Sequence, residues 1–462
     1  MKKKPVRVAF VSLGCAKNLV DSEKMLGQLA EAGCAITADE SDAEAIVINT
    51  CGFLEASRRE ADEVIREAVE RKRRGQIGRV VVAGCLVQRD KDSLLDRVPG
   101  IDALVGVNNR DDVVRAVLGN GSAGRRKSRH TPDLFLADYH PFVQLDTARL
   151  RITPRHYAYL RISEGCDQKC TFCTIPLIRG RMHGKPPSLI LEEARELVSD
   201  GAVEINLIGQ DTTSYGLGDD PLDVKLDGLL RLLNGVEGVR WIRLMYVYPS
   251  VMSDEIIDAI TECDKVCKYI DIPLQHINDR MLKAMHRRIT RKETEVVLRK
   301  IRARIPGVSV RTTMIAGFPG ETEEEFQELV SFVRDFRFDA LGVFAYSQEP
   351  ETPAGRMKDQ IPDEVKRARV DALMQAQQEV AFALADERLD SEMTVLVDRR
   401  MKPGLVAARH QGQAPEVDSA TLVETRDAGP GDWLSVRCVG RADYDLVARP
   451  TNMSLRVLGA TA

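Results

Sequence analysis

The sequence lacks any apolar run long enough to cross a membrane, so we expect no membrane association. It also lacks a marked excess of either charge, since 66 Lys and Arg residues are balanced by 70 Asp and Glu residues, for a net charge of −4. Tight, sequence-blind binding of nucleic acid across the whole surface is therefore not expected. No small-residue cleavage site follows the apolar run from Val6 to Leu13, which Arg7 interrupts. We expect a first strand there and not a signal peptide.

Cysteine, in contrast, is plentiful. Ten cysteines without a secretory signal favour a cytoplasmic protein whose thiols serve metal or redox chemistry. The 462 residues suffice for two or three domains with proper cores, and a hydrophobic content of 44% is ordinary for a globular protein.

Three cysteines fall within eight residues, at Cys166, Cys170 and Cys173, in a C-x-x-x-C-x-x-C spacing. The alternating apolar run before them, residues 157–162, predicts a strand that leads into a loop. Soft thiolates this close together suit an iron–sulfur cluster, whose irons normally take four cysteine ligands. Because the next cysteine is Cys263, we expect one iron to remain open for a substrate or cosubstrate. A zinc site is the alternative, but the second cysteine pair or nearby histidines that zinc sites favour are lacking.

With Phe172 directly before the last cysteine, this stretch resembles the cysteine signature of the radical S-adenosylmethionine (radical SAM) superfamily. The resemblance implies that SAM binds the open iron. It also implies that an electron from the cluster cleaves SAM to methionine and a 5′-deoxyadenosyl radical.

Strand-like and helix-like segments alternate over residues 1–140, which predicts a domain with a parallel α/β sheet. The first three predicted strands run directly into Cys15, Cys51 and Cys85, each of which lies next to a glycine. Loops that follow parallel strands share one edge of the sheet, so these cysteines are expected to converge. We therefore predict a second three-cysteine cluster site with an open iron. The alternative is that three small residues simply fit crowded strand ends.

Six predicted strand–helix units over residues 141–385 favour a partial, TIM-like (βα)6 barrel. Barrel enzymes build their sites at the carboxyl ends of the strands. Candidate contacts for SAM in this region, together with the motif's aromatic residue, are Phe172, Gln210, Gln275, Arg311 and Gly317.

Short alternating strands with turn residues over 386–462 predict a small antiparallel β-barrel. From Arg388 onward the sequence holds ten Lys and Arg residues and ten Asp and Glu residues. A barrel that grips RNA should carry a positive excess, so this balance favours a protein partner.

Together these features resemble the radical SAM methylthiotransferases over essentially the whole chain. That family joins an N-terminal methylthiotransferase domain, a radical SAM core and a C-terminal TRAM domain. The motifs that carry the resemblance to the family are residues 12–23, 49–53 and 84–86. Those that resemble its RimO type, which acts on ribosomal protein S12, are residues 161–166, 210–216, 271–276, 414–418 and 442–446. The chain departs from the family at Ala16, where proline is usual, and at residues 348–351.

The resemblance implies methylthiolation of the β-carbon of an aspartate of S12, a protein of the 30S subunit. Two 4Fe-4S clusters and SAM would be needed, with SAM as cosubstrate, radical source and methyl donor. No catalytic residue is expected beyond the six cluster cysteines. A low-potential electron donor such as flavodoxin or ferredoxin and a sulfur donor are implied, and we expect a monomeric, cytoplasmic enzyme.

Two alternatives stay open at this point. The near one is the MiaB type of the same family, which methylthiolates N6-isopentenyladenosine in tRNA. The other is a non-catalytic iron–sulfur protein for electron transfer, although a simple carrier would coordinate every iron of its clusters.

Overall fold

The computed structural model describes residues 4–119, 131–137, 143, 145–218 and 221–451. These residues form two compact units. The first comprises the described parts of residues 1–152, 161–185 and 347–355, and the second those of residues 153–160, 186–346 and 356–462. Among the described residues, no helix is both long and apolar enough to cross a bilayer.

The N-terminal part of the first unit is an α/β sheet domain. Its strands are β1 (Arg7–Ser12), β2 (Ala35–Thr37), β3 (Ala45–Thr50), β4 (Arg79–Gly84), β5 (Ala103–Gly106) and β6 (Asp133–Phe135). Its helices are α1 (Ala16–Glu31), α2 (Glu55–Arg73), α3 (Cys85–Asp90), α4 (Ser93–Arg97) and α5 (Val113–Leu118). All strand neighbours are parallel, in the order β2-β1-β3-β4-β5-β6, which confirms the predicted parallel α/β sheet.

The sheet is covered on both faces, which explains its unbroken apolar strands. Every residue of β3 is buried. Ile46 and Ile48 belong to the apolar core on one face, and Ala45 and Val47 belong to the core on the other. The side chains thus alternate between two cores with the period of a β-strand.

The central part of the chain alternates strands and helices as predicted. Its strands are β7 (Tyr157–Arg161), β8 (Ser163–Glu164), β9 (His183–Gly184), β10 (Glu204–Ile208), β11 (Trp241–Leu244), β12 (Tyr269–Asp271), β13 (Ser309–Ala316) and β14 (Ala340–Ala345). Its helices are α6 (Ile175–Arg179), α7 (Pro187–Ser199), α8 (Leu226–Asn234), α9 (Asp254–Glu262), α10 (Asp279–Ala284), α11 (Arg291–Arg304), α12 (Glu323–Phe336) and α13 (Asp363–Asp386).

Six of these strands form the partial barrel. The sheet β7-β10-β11 is followed by the sheet β12-β13-β14. An isolated parallel bridge between Ile242 and Val266 and a hydrogen bond from the Val247 amide to the Asp271 carbonyl (2.8 Å) connect β11 with β12. The predicted partial barrel of six strands is therefore confirmed.

The C-terminal strands close into the predicted small barrel. They are β15 (Glu392–Lys402), β16 (Leu405–His410), β17 (Thr421–Glu424), β18 (Trp433–Ala442) and β19 (Asp445–Pro450). The ring runs β15-β16-β17-β19-β18. Its pairs are antiparallel except β17 with β19, which are parallel.

Two acidic residues of the 414–418 motif hold this barrel against the strands of the second unit. Glu416 accepts hydrogen bonds from the hydroxyls of Tyr157 (2.8 Å) and Tyr159 (3.2 Å). Asp418 accepts one from the hydroxyl of Tyr269 at 2.8 Å. These carboxylates therefore have a clear structural role.

Candidate metal centres

Cys15, Cys51 and Cys85 lie at the carboxyl ends of three adjacent parallel strands. Cys15 immediately precedes α1, Cys51 follows the last residue of β3, and Cys85 is the first residue of α3. The strand order changes direction between β1 and β3, and such a switch point is where doubly wound sheets bind ligands. The three thiols thus come from three loops at one edge of the sheet.

Two glycines allow these loops to approach each other. A Cβ added to Gly14 would lie 3.0 Å from Cβ of Cys51, and one added to Gly52 would lie 2.8 Å from the backbone carbonyl of Cys85. Gly14 also has a φ of +101°, which L side chains rarely adopt. The structure therefore brings together the three cysteines that the sequence predicts to converge.

Asn18 ties the same three loops to one side chain. Its Nδ2 donates to the carbonyl oxygens of Leu13 (3.1 Å) and Thr50 (2.9 Å), and its Oδ1 lies 3.2 Å from Sγ of Cys85. The motif from the first strand includes Asn18, but sequence reasoning gave it no role. Its position three residues after Cys15, on the first turn of a helix, is the signal that could have found it.

The electrostatic environment differs among the three thiols. Desolvation raises the pKa of Cys15, but the charges of Lys17 and Arg179 act against it and the pKa is lowered. Burial raises the pKa of Cys51. Burial also raises the pKa of Cys85 to about 12, against the opposing charge of Arg179. A metal at this site must therefore displace a proton from the buried thiol of Cys85.

The second group, Cys166, Cys170 and Cys173, occupies a loop closed by the antiparallel pair β8–β9. The amide of Cys166 donates to the carbonyl of Gly180 (3.1 Å), and the amide of Cys173 donates to the carbonyl of Cys170 (3.2 Å). The Ile175 amide lies 3.4 Å from Sγ of Cys173, a contact that supports a sulfur ligand. All three cysteines are partly accessible.

Gly165 makes this loop possible. Its φ is +80°, and a Cβ there would lie 2.0 Å from the carbonyl oxygen of Arg181. No residue with a side chain fits at that position without moving the backbone of Gly180 and Arg181. The close approach of the Arg181 carbonyl therefore explains why the residue before Cys166 is a glycine.

Both groups of thiols belong to the first unit, and Arg179 makes a contact at or beside each group. Its Nη2 lies 3.2 Å from Sγ of Cys85, and its Nη1 donates to Glu164 at 2.9 Å. One ion pair and one contact with a thiol thus hold the segment around Cys166 beside the site of Cys85. Sequence reasoning missed Arg179, although a lone charge inside the apolar run 175–179 was a usable signal.

The segment after β14 also supports this region. Glu349 is buried and accepts hydrogen bonds from the amide of Glu55 (3.0 Å), from Arg58 (2.6 Å) and from Arg89 (2.7 Å). The amide of Ala354 donates to the carbonyl of Thr171, between two cysteines of the loop, at 2.9 Å. A segment distant in sequence therefore braces loops that carry cysteines.

The donor set fits iron–sulfur clusters. Within the part of the chain that the structure describes, no three His, Cys, Asp or Glu side chains gather tightly enough to hold one metal ion. A four-iron cluster has a different requirement, because each thiolate binds a different iron and the sulfurs surround a larger group. Two sets of three soft donors, each on loops with glycines that permit close approach, match that requirement.

The predicted SAM contacts occupy different places. Gln275 and Gly317 follow neighbouring strands at their carboxyl ends, and the backbone of Gln275 pairs with β13 through the carbonyl of Thr313 (2.8 Å). Gln210 follows β10, and Phe172 lies in the cysteine loop. The contacts of these four residues with SAM stay a prediction.

Arg311 differs from the other candidates. It lies in the first half of β13, where its Nη1 is 2.8 Å from Asp271 and its Nε is 3.3 Å from Asp418. A buried ion-pair network already accounts for this side chain. Its contact with SAM likewise stays a prediction.

Three regions of the chain each match a sequence family. Residues 160–333 match the Radical SAM superfamily, residues 391–450 match the TRAM domain, and residues 7–106 match the "Uncharacterized protein family UPF0004". A solved radical S-adenosylmethionine methyltransferase, TsrM from Kitasatospora setae, has a similar fold. It aligns with a TM-score of 0.58 and 16% identity over 90% of this chain and 80% of its own. The fold and the cysteine loop define a radical SAM enzyme.

Relatives in sequence identify the family within the radical SAM enzymes. The ribosomal protein uS12 methylthiotransferase RimO of Anaeromyxobacter sp. (strain K) is 43% identical over 96% of this chain and 93% of its own length. The protein of the same name from Geotalea uraniireducens is 41% identical over 96% of this chain and 97% of its own. The chain belongs to the RimO family of radical SAM methylthiotransferases.

Proposed function

We propose that this protein methylthiolates the β-carbon of an aspartate of ribosomal protein S12. The observation that carries the proposal is the placement of two three-cysteine groups in one compact unit. The relatives that match nearly the whole chain are uS12 methylthiotransferases by name, which supports the choice of target.

Cys166, Cys170 and Cys173 would hold one 4Fe-4S cluster, and Cys15, Cys51 and Cys85 would hold the other. Bound together with SAM, the two clusters would supply the radical, the sulfur and the methyl group of the reaction. Three thiolates for four irons leave one coordination position open at each site. The cysteines would therefore bind the clusters and leave one iron of each open to a reactant.

The remaining residues of the site position these loops. Asn18 and Glu349 fix the loops of the N-terminal sheet, and Gly165 shapes the loop of Cys166. Such rigid supports matter because small displacements of reacting groups cost large factors in rate. We extend the proposal to a cytoplasmic enzyme that draws electrons from a flavodoxin or ferredoxin and sulfur from a separate donor.

The test is an anaerobic assay of reconstituted protein with SAM and a reductant on two substrates in parallel. One substrate is S12, free and within the 30S subunit, and the other is tRNA that contains N6-isopentenyladenosine. A methylthio mass increment on an S12 peptide that contains aspartate is expected, with none on the tRNA. An increment on the tRNA alone would assign the MiaB-type activity instead.

Variants separate the reaction from mere cluster binding. Cys170→Ala should abolish 5′-deoxyadenosine formation, because it removes a ligand of the cluster that reduces SAM. Cys34→Ala is the matched control, since Cys34 is a buried thiol that belongs to the apolar core of the sheet. Methylthiolation by the Cys170→Ala variant would refute the proposal.

A further inference from the structure

A network of charges, most of them buried, reaches Cys85 in the first unit. Its cations are Arg110, Arg161, Arg179 and Lys185, and its carboxylates are Asp21, Asp146 and Glu164. Four positive charges against three negative ones leave these seven side chains with one positive charge in excess. A cation in a buried place is stabilised by an anionic neighbour.

Arg179 brings this excess to the thiols. Its Nη2 lies 2.7 Å from Oδ1 of Asn18, 3.0 Å from Oδ2 of Asp21 and 3.2 Å from Sγ of Cys85. Its Nη1 lies 2.9 Å from Oε2 of Glu164, and only 3% of the side chain is exposed. Four groups from three segments of the chain therefore fix the guanidinium.

The anion that would match this excess is the cluster itself. A four-iron core held by three thiolates is negatively charged, and its charge becomes more negative by one when it takes up an electron. Cluster potentials depend on nearby charge and on hydrogen bonds to the sulfurs. A buried cation that donates to a ligand sulfur favours the reduced form most.

We propose that Arg179 is a positioning residue that stabilises negative charge on the Cys15/Cys51/Cys85 cluster and so raises its reduction potential and its retention. The inference rests on the proposed function, which assigns a cluster to these cysteines. Since Glu164 stands two residues before Cys166 and anchors the same guanidinium, one side chain supports both cysteine groups.

The test measures the potential of this cluster without any turnover. The full-length chain with Cys166, Cys170 and Cys173 replaced by alanine can hold only the cluster of the N-terminal sheet. In that background, electron paramagnetic resonance follows one-electron reduction by dithionite in the presence of redox mediators. At a fixed ambient potential, Arg179→Gln should lower the ratio of reduced to oxidised cluster about tenfold, equivalent to about 59 mV for one electron.

Two further variants separate charge from shape. Arg179→Lys keeps the positive charge, so its potential should stay near that of the parent, although a lysine cannot reproduce the planar fork. Asn18→Asp is nearly isosteric and places a carboxylate beside both Arg179 and Cys85, so the ratio should fall in the same direction. Because Arg179 is retained in that variant, it also serves if Arg179→Gln loses its cluster.

The matched control is Arg97→Gln. Arg97 bridges Asp62 (2.8 Å) and Asp90 (2.6 Å) in the same unit and donates to no thiol among the described residues. Its removal should leave the potential unchanged. An unchanged potential in both Arg179→Gln and Asn18→Asp, or an equal fall in Arg179→Lys and Arg179→Gln, would overturn the inference.

A failure of this inference can be distinguished from a failure of the proposed function. A lowered potential in a protein that fails to modify S12 would support the inference and count against the reaction. A normal potential in the Arg179→Gln variant, together with methylthiolation by the parent protein, would do the opposite. No cluster signal in the reference background would overturn the cluster assignment and the inference with it.

Discussion

Glu349 and Arg89 form a buried ion pair, with 2.7 Å between Oε2 and Nη2. Through Nη1 the same guanidinium donates to the carbonyl oxygens of Gly52 (2.8 Å) and Phe53 (3.2 Å). Glu349 thus fixes the loop of Cys51 through one intermediary.

Replacing Glu349 by glutamine should lower the free energy of unfolding by about 3 kcal/mol at neutral pH, because buried arginines lose their charged partner. Desolvation raises the pKa of Glu349. The hydrogen bonds from Arg89, Ser347 and Arg58 outweigh this effect and lower the pKa below its usual value. A lowered folded-state pKa gives stability that is complete above the unfolded value of about 4.3 and is lost as the pH falls through the folded pKa. Denaturant titrations from neutral pH into acid should show the difference shrink only in acid.

The control for this prediction is Glu351→Gln. Glu351 also contacts Arg89, at 2.6 Å, but its side chain is 50% exposed. An exposed carboxylate contributes less than about 1 kcal/mol. Equal losses in the two variants would contradict the assigned role of Glu349.

Iron analysis of the anaerobically reconstituted protein should give about eight irons per chain. Cys85→Ala and Cys170→Ala should each retain about half of that iron, since each removes a ligand from a different group. Cys34→Ala should retain it all. A parent protein with only half the expected iron would show that one of the two groups binds no cluster.

Gly165→Ala should lose the iron held by Cys166, Cys170 and Cys173 while retaining that of the other group. The added methyl group would meet the carbonyl oxygen of Arg181 at 2.0 Å, so the loop has to move. Gly33→Ala is the control, since Gly33 has a similar φ of +82° and no neighbour within 4 Å of its added Cβ. That variant carries only the backbone strain, about 1 kcal/mol, and should keep all its iron. Iron analysis of both variants distinguishes the steric clash at position 165 from the backbone strain that both variants share.

Glu204→Gln should weaken the attachment of the C-terminal barrel. Glu204 is fully buried between Arg243 (2.9 Å) and Arg409 (2.7 Å), and despite desolvation these arginines lower its pKa. Removing its charge takes this carboxylate from Arg243 and leaves Arg409 with Asp398 at 2.7 Å, at a cost of about 3 kcal/mol. Limited proteolysis should then release the barrel faster than from the parent.

Glu424→Gln tests whether any ion pair would give that result. Glu424 pairs with Arg449 on the same barrel at 2.7 Å, but their side chains are 48% and 64% exposed. This exchange should change stability by less than about 1 kcal/mol. Equal release from both variants would refute the role of Glu204.

The fold was largely predictable because it depends on local patterns. Buried strands such as β3 are continuous apolar runs, and the cysteines that follow them share one sheet edge by the geometry of parallel strands. The three-residue strand β2 does not appear among the first three predicted strands, since so short a segment carries no periodic signal. The parallel pairing of β17 with β19 was missed because order in a ring is set by contacts distant in sequence.

The site was predictable only in its ligands. Cysteine spacing marks a metal loop directly, whereas the partners of Asn18, Arg179 and Glu349 come from remote segments. Arg311 illustrates the opposite case, because a charged residue on a barrel strand can equally serve an ion pair with Asp271. Local sequence does not distinguish those two uses.

The ring order of the C-terminal barrel has one more consequence. Because β19 lies between β17 and β18, it closes the ring. A chain shortened before Asp445 would expose two unpaired strand edges at once, and such edges are templates for intermolecular pairing. β19 therefore shields the edges of β17 and β18 from such pairing.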